Sequence, residues 1–118
     1  MAGPDQRLRR AQRVTATRHF TETYAQGRKT VGRHMVLWLR EGPDAALRLG
    51  VVTGRKVGPA VDRVRARRRL RAVWREHRSQ LTGAFDVILV GRSTLPAAAW
   101  PDVVADFNRL ARRAGLVA

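Results

Sequence analysis

Residues 46–78 read ALRLGVVTGRKVGPAVDRVRARRRLRAVWREHR, and this stretch decides the fold. Residues 46–53 are β-prone and apolar enough for a strand. Gly54 and Gly58-Pro59 break the chain around Arg55-Lys56-Val57. From Ala60 to about Arg78 no Gly or Pro intervenes, and the composition predicts a helix. At the helical period, Ala66, Leu70, Val73, Trp74 and His77 fall within roughly a third of the circle, a stripe suited to a core. Arg68, Arg71, Arg75 and Arg78 cluster beside it, with Arg65 and Arg69 further round. One side of the helix therefore docks on a sheet, and the other presents a comb of guanidinium groups. Residues 55–78 hold ten Arg and Lys against Asp62 and Glu76, which is +8 of the chain's +15. Arginines three and four apart repel by a few tenths of a kcal/mol per pair. A phosphate partner reverses that sign.

Residues 34–40 predict another strand, and Glu41-Gly42-Pro43-Asp44 predicts a turn, so 34–53 reads as a hairpin. Phe85 to Val90 is a third strand ending at Gly91. Upstream, Thr17 reads as the cap of a helix that carries Phe20 and Tyr24 on one side and stops at Gly27. Downstream, Pro96 and Pro101 bracket a break, and Asp102 reads as the cap of a last helix running to Arg113. Residues 1–14 read as a basic N-terminal arm, either ordered on binding or frayed. Residues 15–118 read as one α+β domain in α-β-β-β-α-β-α order, with helices packed on one mostly antiparallel sheet.

The whole chain sets the same bounds. Its 118 residues suit one domain, and 44% hydrophobic residues supply a modest core. With no Cys, disulfides, thiolate metal sites and a Cys nucleophile are excluded. A net charge of +15 destabilises a small globule, so a polyanionic partner is expected. Nucleic acid fits best. Membrane binding requires a wide exposed apolar face, whereas here the stripe is narrow and belongs to the core. No apolar run is long enough to span a bilayer, and the basic N-terminus has no apolar stretch behind it. The expectation is a cytoplasmic protein.

Catalytic chemistry is sparse. The histidines are His19, His34 and His77. His77 reads as a satisfied, partly buried residue, and His19 and His34 as surface residues rather than ligands. Asp102 and Asp106 read as a cap and a solvated helix face rather than a metal pair. Gly54-Arg55-Lys56-Val57-Gly58 lacks the spacing of a phosphate-binding loop.

The segments Arg48-Leu49-Gly50-Val51-Val52, Arg55-Lys56-Val57-Gly58 and Ala60 to Arg71 resemble the signature of the bacterial ribonuclease P protein subunit. Arg18-His19-Phe20 with Tyr24 and Gly27 resembles the family's first helix. Met35-Val36-Leu37-Trp38 resembles its aromatic-bearing strand, and Phe85 to Arg92 its last strand. Together these span residues 7–113 in order. Three positions depart from the family pattern: Val64 replaces an Asn between two arginines, Arg67 replaces the usual Lys, and Gly54 stands before Arg55 where a small hydroxyl residue is common.

The resemblance implies a fold like the second domain of ribosomal protein S5, including a left-handed β-α-β crossover. It also implies a protein subunit of a ribonucleoprotein whose partners are ribonuclease P RNA and precursor tRNA. The RNA holds the Mg²⁺ and cuts the 5′ leader; the protein has no catalytic residue, no metal and no tightly bound cofactor. On this reading Arg55, Lys56, Arg63, Arg65, Arg67, Arg68, Arg71 and Arg75 bind the catalytic RNA. Phe20, Tyr24 and Trp38 line a groove for the leader, whose unpaired bases stack on such rings. For Phe20 a core position is an equal alternative. A general RNA-binding or ribosomal-type protein on the same scaffold is the competing function.

Overall fold

The computed structural model describes residues 10–117. Helix α1 (Thr17–Gln26) is followed by strands β1 (Arg28–Val31), β2 (Met35–Arg40) and β3 (Arg48–Thr53). Then come helix α2 (Ala60–His77), strand β4 (Asp86–Gly91) and helix α3 (Trp100–Arg113). Gly27, at φ 67°, ends α1 in the left-handed conformation that glycine adopts without penalty. Ala16 and Ala99, rather than Thr17 and Asp102, occupy the N-cap positions of α1 and α3.

The sheet order is β1-β2-β4-β3. The hairpin expected over 34–53 does not form, because β4 lies between β2 and β3. It runs antiparallel to β2 and parallel to β3, so α2 is the crossover between parallel neighbours. The reason lies in β4 itself. Val87, Ile88 and Leu89 are fully buried, and a strand buried on both faces belongs in the middle of a sheet. The hairpin that does form joins β2 to the short, mostly exposed β1, the strand that the expected α-β-β-β-α-β-α order allowed for without assigning it residues.

Helices cover both faces of the sheet, giving three layers. On one face Met35, Leu37, Leu39, Leu49, Val87 and Leu89 pack against α2 and α3. The stripe expected on α2 is there: Ala66, Leu70, Val73 and Trp74 are fully buried, and Trp74 meets Phe107 edge-on at 6.4 Å. Each such large apolar side chain contributes about 1.5–3 kcal/mol through burial. His77 is half-buried, and its Nδ1 donates to the Val73 carbonyl at 2.7 Å. On the other face α1 packs over β2 and β4, and Phe20 reaches Gly50 of β3.

The arm expected at 1–14 lies mostly outside the described residues. Its last part belongs to the domain. Val14 is buried, and its N–H donates to the Leu49 carbonyl at 2.9 Å, extending β3 sideways. His19 and His34 are also buried rather than superficial. His19 Nε2 donates to Asp44 at 2.8 Å, and His34 Nδ1 lies 2.7 Å from Thr94 Oγ1.

Candidate nucleic-acid interface

Helix α2 distributes its arginines to three sides. Arg69 points away from the rest and is structural. It donates to the carbonyls of Leu95, Pro96 and Ala98 at 2.7–3.0 Å, and its guanidinium lies 5.6 Å from the Trp100 ring. Arg67, Arg71 and Arg75, four residues apart, line the side next to β3. Arg67 Nη1 donates to Thr53 Oγ1 at 2.9 Å, and Arg71 borders a pocket floored by Leu49, Gly50 and Val51. Arg65 and Arg68 are exposed, and neither makes a hydrogen bond or ion pair among the described residues. Among the described residues, no α2 arginine lies within 4 Å of a carboxylate.

Five of the described acids, Glu22, Glu41, Asp44, Asp86 and Asp106, are engaged outside α2. Arg40, 2% exposed, donates to Glu22, Asp44 and Asp86 at 2.6–2.7 Å. Arg48 makes a two-pronged bond to Asp86 at 2.7 and 2.8 Å. Arg40, Asp86 and Arg48 are direct neighbours across β2, β4 and β3, so the sheet register assembles the cluster. Burial alone would raise Asp86, but the hydrogen bonds from Arg48 and Arg40 hold its carboxyl below the ordinary value. Hydrogen bonds from Arg40, then from His19, hold Asp44 far below the usual carboxylate range. Burial opposes the charge on Arg40, yet its three carboxylates raise it above the ordinary arginine value. Arg28 pairs with Glu41, and Arg109 with Asp106. Asp106 also accepts the backbone N–H groups of Arg33 and His34, so it fixes the β1–β2 turn.

Of the three aromatic residues expected together, two come into contact. Tyr24 and Trp38 meet edge-on at 5.0 Å, and Lys29 Nζ lies 5.4 Å from the Trp38 ring. Trp38 is thus a half-buried platform, and Tyr24, 40% exposed, is the open ring. Burial pushes the Tyr24 phenol up, so it remains a hydrogen-bond donor at neutral pH. Phe20 sits one turn away in the pocket with Arg71. A Cβ on residue 50 would stand 2.9 Å from its ring, so only glycine leaves room there.

Three features escaped the sequence reading. The sheet register aligns Val31, Val36, Val90 and Val52 across all four strands on the α1 side, and Val31 is 51% exposed. This half-open apolar strip runs into a recess of about 550 Å³ lined by Arg55, Lys56, Val57 and Arg92 among others. Arg92 is held there by its bond to the Gly32 carbonyl at 2.7 Å. Arg13 joins Arg71 and Phe20 at the β3 edge. No single-strand pattern signals any of these, because each depends on which strands become neighbours. Among the described residues no helix is long and apolar enough to cross a membrane.

A three-layer α+β domain with an arginine-rich helix, whose arginines are free of carboxylate partners among the described residues, beside an aromatic, half-open sheet face defines a nucleic-acid-binding protein. Comparison with known proteins gives the family. The chain belongs to the ribonuclease P protein component family, whose model matches residues 8–115. It is 36% identical to the ribonuclease P protein component of Gluconacetobacter diazotrophicus, over 91% of this chain and 94% of the relative. Identity to the Chloroflexus aggregans protein is 34%, over 93% and 82%. The fold matches an RNase P protein of Staphylococcus aureus with a TM-score of 0.79 at 21% identity, covering 91% of this chain and 98% of that one.

Proposed function

We propose that this chain binds the RNA subunit of ribonuclease P through α2 and the turn before it, and binds the 5′ leader of precursor tRNA in the groove between α1 and the sheet. The RNA performs the Mg²⁺-dependent cleavage in the cytoplasm, and the metal enters with the RNA. The observation that carries this reading is the segregation of charge. The described acids that form ion pairs meet cations outside α2, so the α2 arginines other than Arg69 remain available for phosphates. Arg55, Lys56, Arg63, Arg65, Arg67, Arg68, Arg71 and Arg75 are the set offered to RNA. Phe20, Tyr24 and Trp38 are the set offered to the leader, Trp38 acting through Tyr24. Val64, 39% exposed between Arg63 and Arg65, has no amide to hydrogen-bond, so contact there falls to its charged neighbours.

Reconstitution tests the proposal. Purified chain is mixed with ribonuclease P RNA and precursor tRNA at a Mg²⁺ concentration too low for the RNA alone. Rescue of leader removal is the expected result. RNA binding without rescue would mark a general RNA-binding protein, and cleavage by the chain alone would mark a nuclease.

A further inference from the structure

A second set of arginines lies at the opposite edge of the sheet from α2's outer side. β1 forms that edge, and α3 packs beside it. In the β1–β2 register Arg28 and Thr30 stand opposite Leu39 and Leu37, which face α2 and α3, so Arg28 is on the α3 side of the strand. Two cavities follow one another along the seam. Arg33 and Arg109 border the first, of about 160 Å³, together with His34, Asp102 and Asp106. Arg28 and Arg113 border the second, of about 220 Å³, together with Thr30 and Leu39. Arg109 and Arg113 are one turn apart on α3 and so share a face. The seam therefore has an arginine on each wall at two successive levels.

The acids nearby are spent. Asp106 accepts the backbone N–H groups of Arg33 and His34 and pairs with Arg109, and Glu41 pairs with Arg28. Arg33 and Arg113 are exposed, and among the described residues their side chains make no hydrogen bond or ion pair. Asp102 lies two turns of α3 before Arg109, so positive charge grows toward Arg113. Cations at the end of a helix complement its dipole, and cations on an edge strand discourage aggregation. Neither effect calls for arginines facing one another across a cavity, where they repel until an anion comes between them.

The seam also limits what that anion is. Phe85, the ring beside Arg28, is half-buried under the guanidinium at 5.7 Å. Trp38 and Tyr24 lie on the other face of the sheet. An unpaired base has no open ring to stack on here, so the seam suits a ligand that offers phosphates alone. Helical RNA does so, since its bases stay stacked inside the duplex.

We propose that the seam between β1 and α3 is a second RNA-binding surface, which holds the phosphate backbone of a helical RNA segment while α2 is occupied by the RNA subunit. The occupancy of α2 rests on the function proposed above. With arginines at both edges of its sheet, the chain bridges two RNA segments.

The test uses the full chain assembled with ribonuclease P RNA, so that α2 is already covered. A labelled RNA duplex, oligouridine and polyglutamate are titrated against the wild type, Arg33→Ala/Arg113→Ala, Arg33→Lys/Arg113→Lys and Arg18→Ala. The double Ala variant is expected to bind the duplex about tenfold more weakly. The slope of log affinity against log salt should fall by somewhat under one unit for each arginine removed. Oligouridine affinity should change less than about twofold, the Lys variant should keep most of the duplex affinity, and Arg18→Ala should leave it within about twofold. No duplex binding by the wild-type complex, no loss in the double Ala variant, or an equal loss in Arg18→Ala would overturn the proposal. Polyglutamate bound in preference to the duplex would overturn it in favour of an acidic protein partner. Failure of the chain to assemble with the RNA subunit would instead overturn the function proposed above, and the same variants compared as free chains would then decide the seam.

Discussion

Asp86 shows how much one side chain carries. It is fully buried between Arg40 and Arg48, and removing its charge strands two cations inside the sheet. Asp86→Asn should cost about 3–5 kcal/mol, read by denaturant unfolding. Its carboxyl is held below the ordinary value of 3.8, so its stabilisation is complete above that value and disappears as pH falls through the depressed one. The melting temperature should therefore hold down to about pH 5 and fall below about pH 4, with the Asn variant losing that acid limb. An acid limb identical in the two proteins would contradict this. Gly50 is the second single-residue case. Gly50→Ala forces a methyl against Phe20, and a cost of about 1–3 kcal/mol is expected. Leader affinity should drop with it, because the displaced ring is part of the proposed groove.

Helix α2 carries three jobs on one element, and substitution separates them. Arg65→Ala and Arg68→Ala should leave thermal stability within about 0.5 kcal/mol. They should lower the salt slope of RNA binding by somewhat under one unit each. Arg69→Ala should do the reverse, because it frees three carbonyls between residues 95 and 98 without touching the outer surface. Loss of RNA affinity in a stably folded Arg69→Ala protein would count against this division. The core stripe of α2 was legible in the sequence because helical periodicity is local: Ala66, Leu70, Val73 and Trp74 needed no knowledge of partners. The strand pairing was not. Met35–Arg40 and Arg48–Thr53 are consecutive and look like a hairpin, but only the burial of Val87, Ile88 and Leu89 on both faces shows which strand separates them. The residues of β1 were not legible for the opposite reason, the strand being short, polar and exposed, although the expected element order left room for it. The site followed the same rule. The arginine comb was visible as a run, whereas Arg13, Arg92 and the four aligned valines come together only in three dimensions.

At the scale of the molecule, +15 on 118 residues is a standing strain. Binding any polyanion that prefers the folded chain relieves it. Addition of ribonuclease P RNA, or of sulfate at moderate concentration, should raise the melting temperature, and low ionic strength should lower it. A melting temperature indifferent to both would contradict the proposed partner. The insertion of β4 between two strands made much earlier has a further consequence. During synthesis on the ribosome, β2 and β3 emerge with no neighbour to share, and the sheet stays open until residue 91 has left the exit tunnel. Everything from α1 to α2 must wait for it, so a nascent chain cut short before β4 should never mature, however complete its arginine helix.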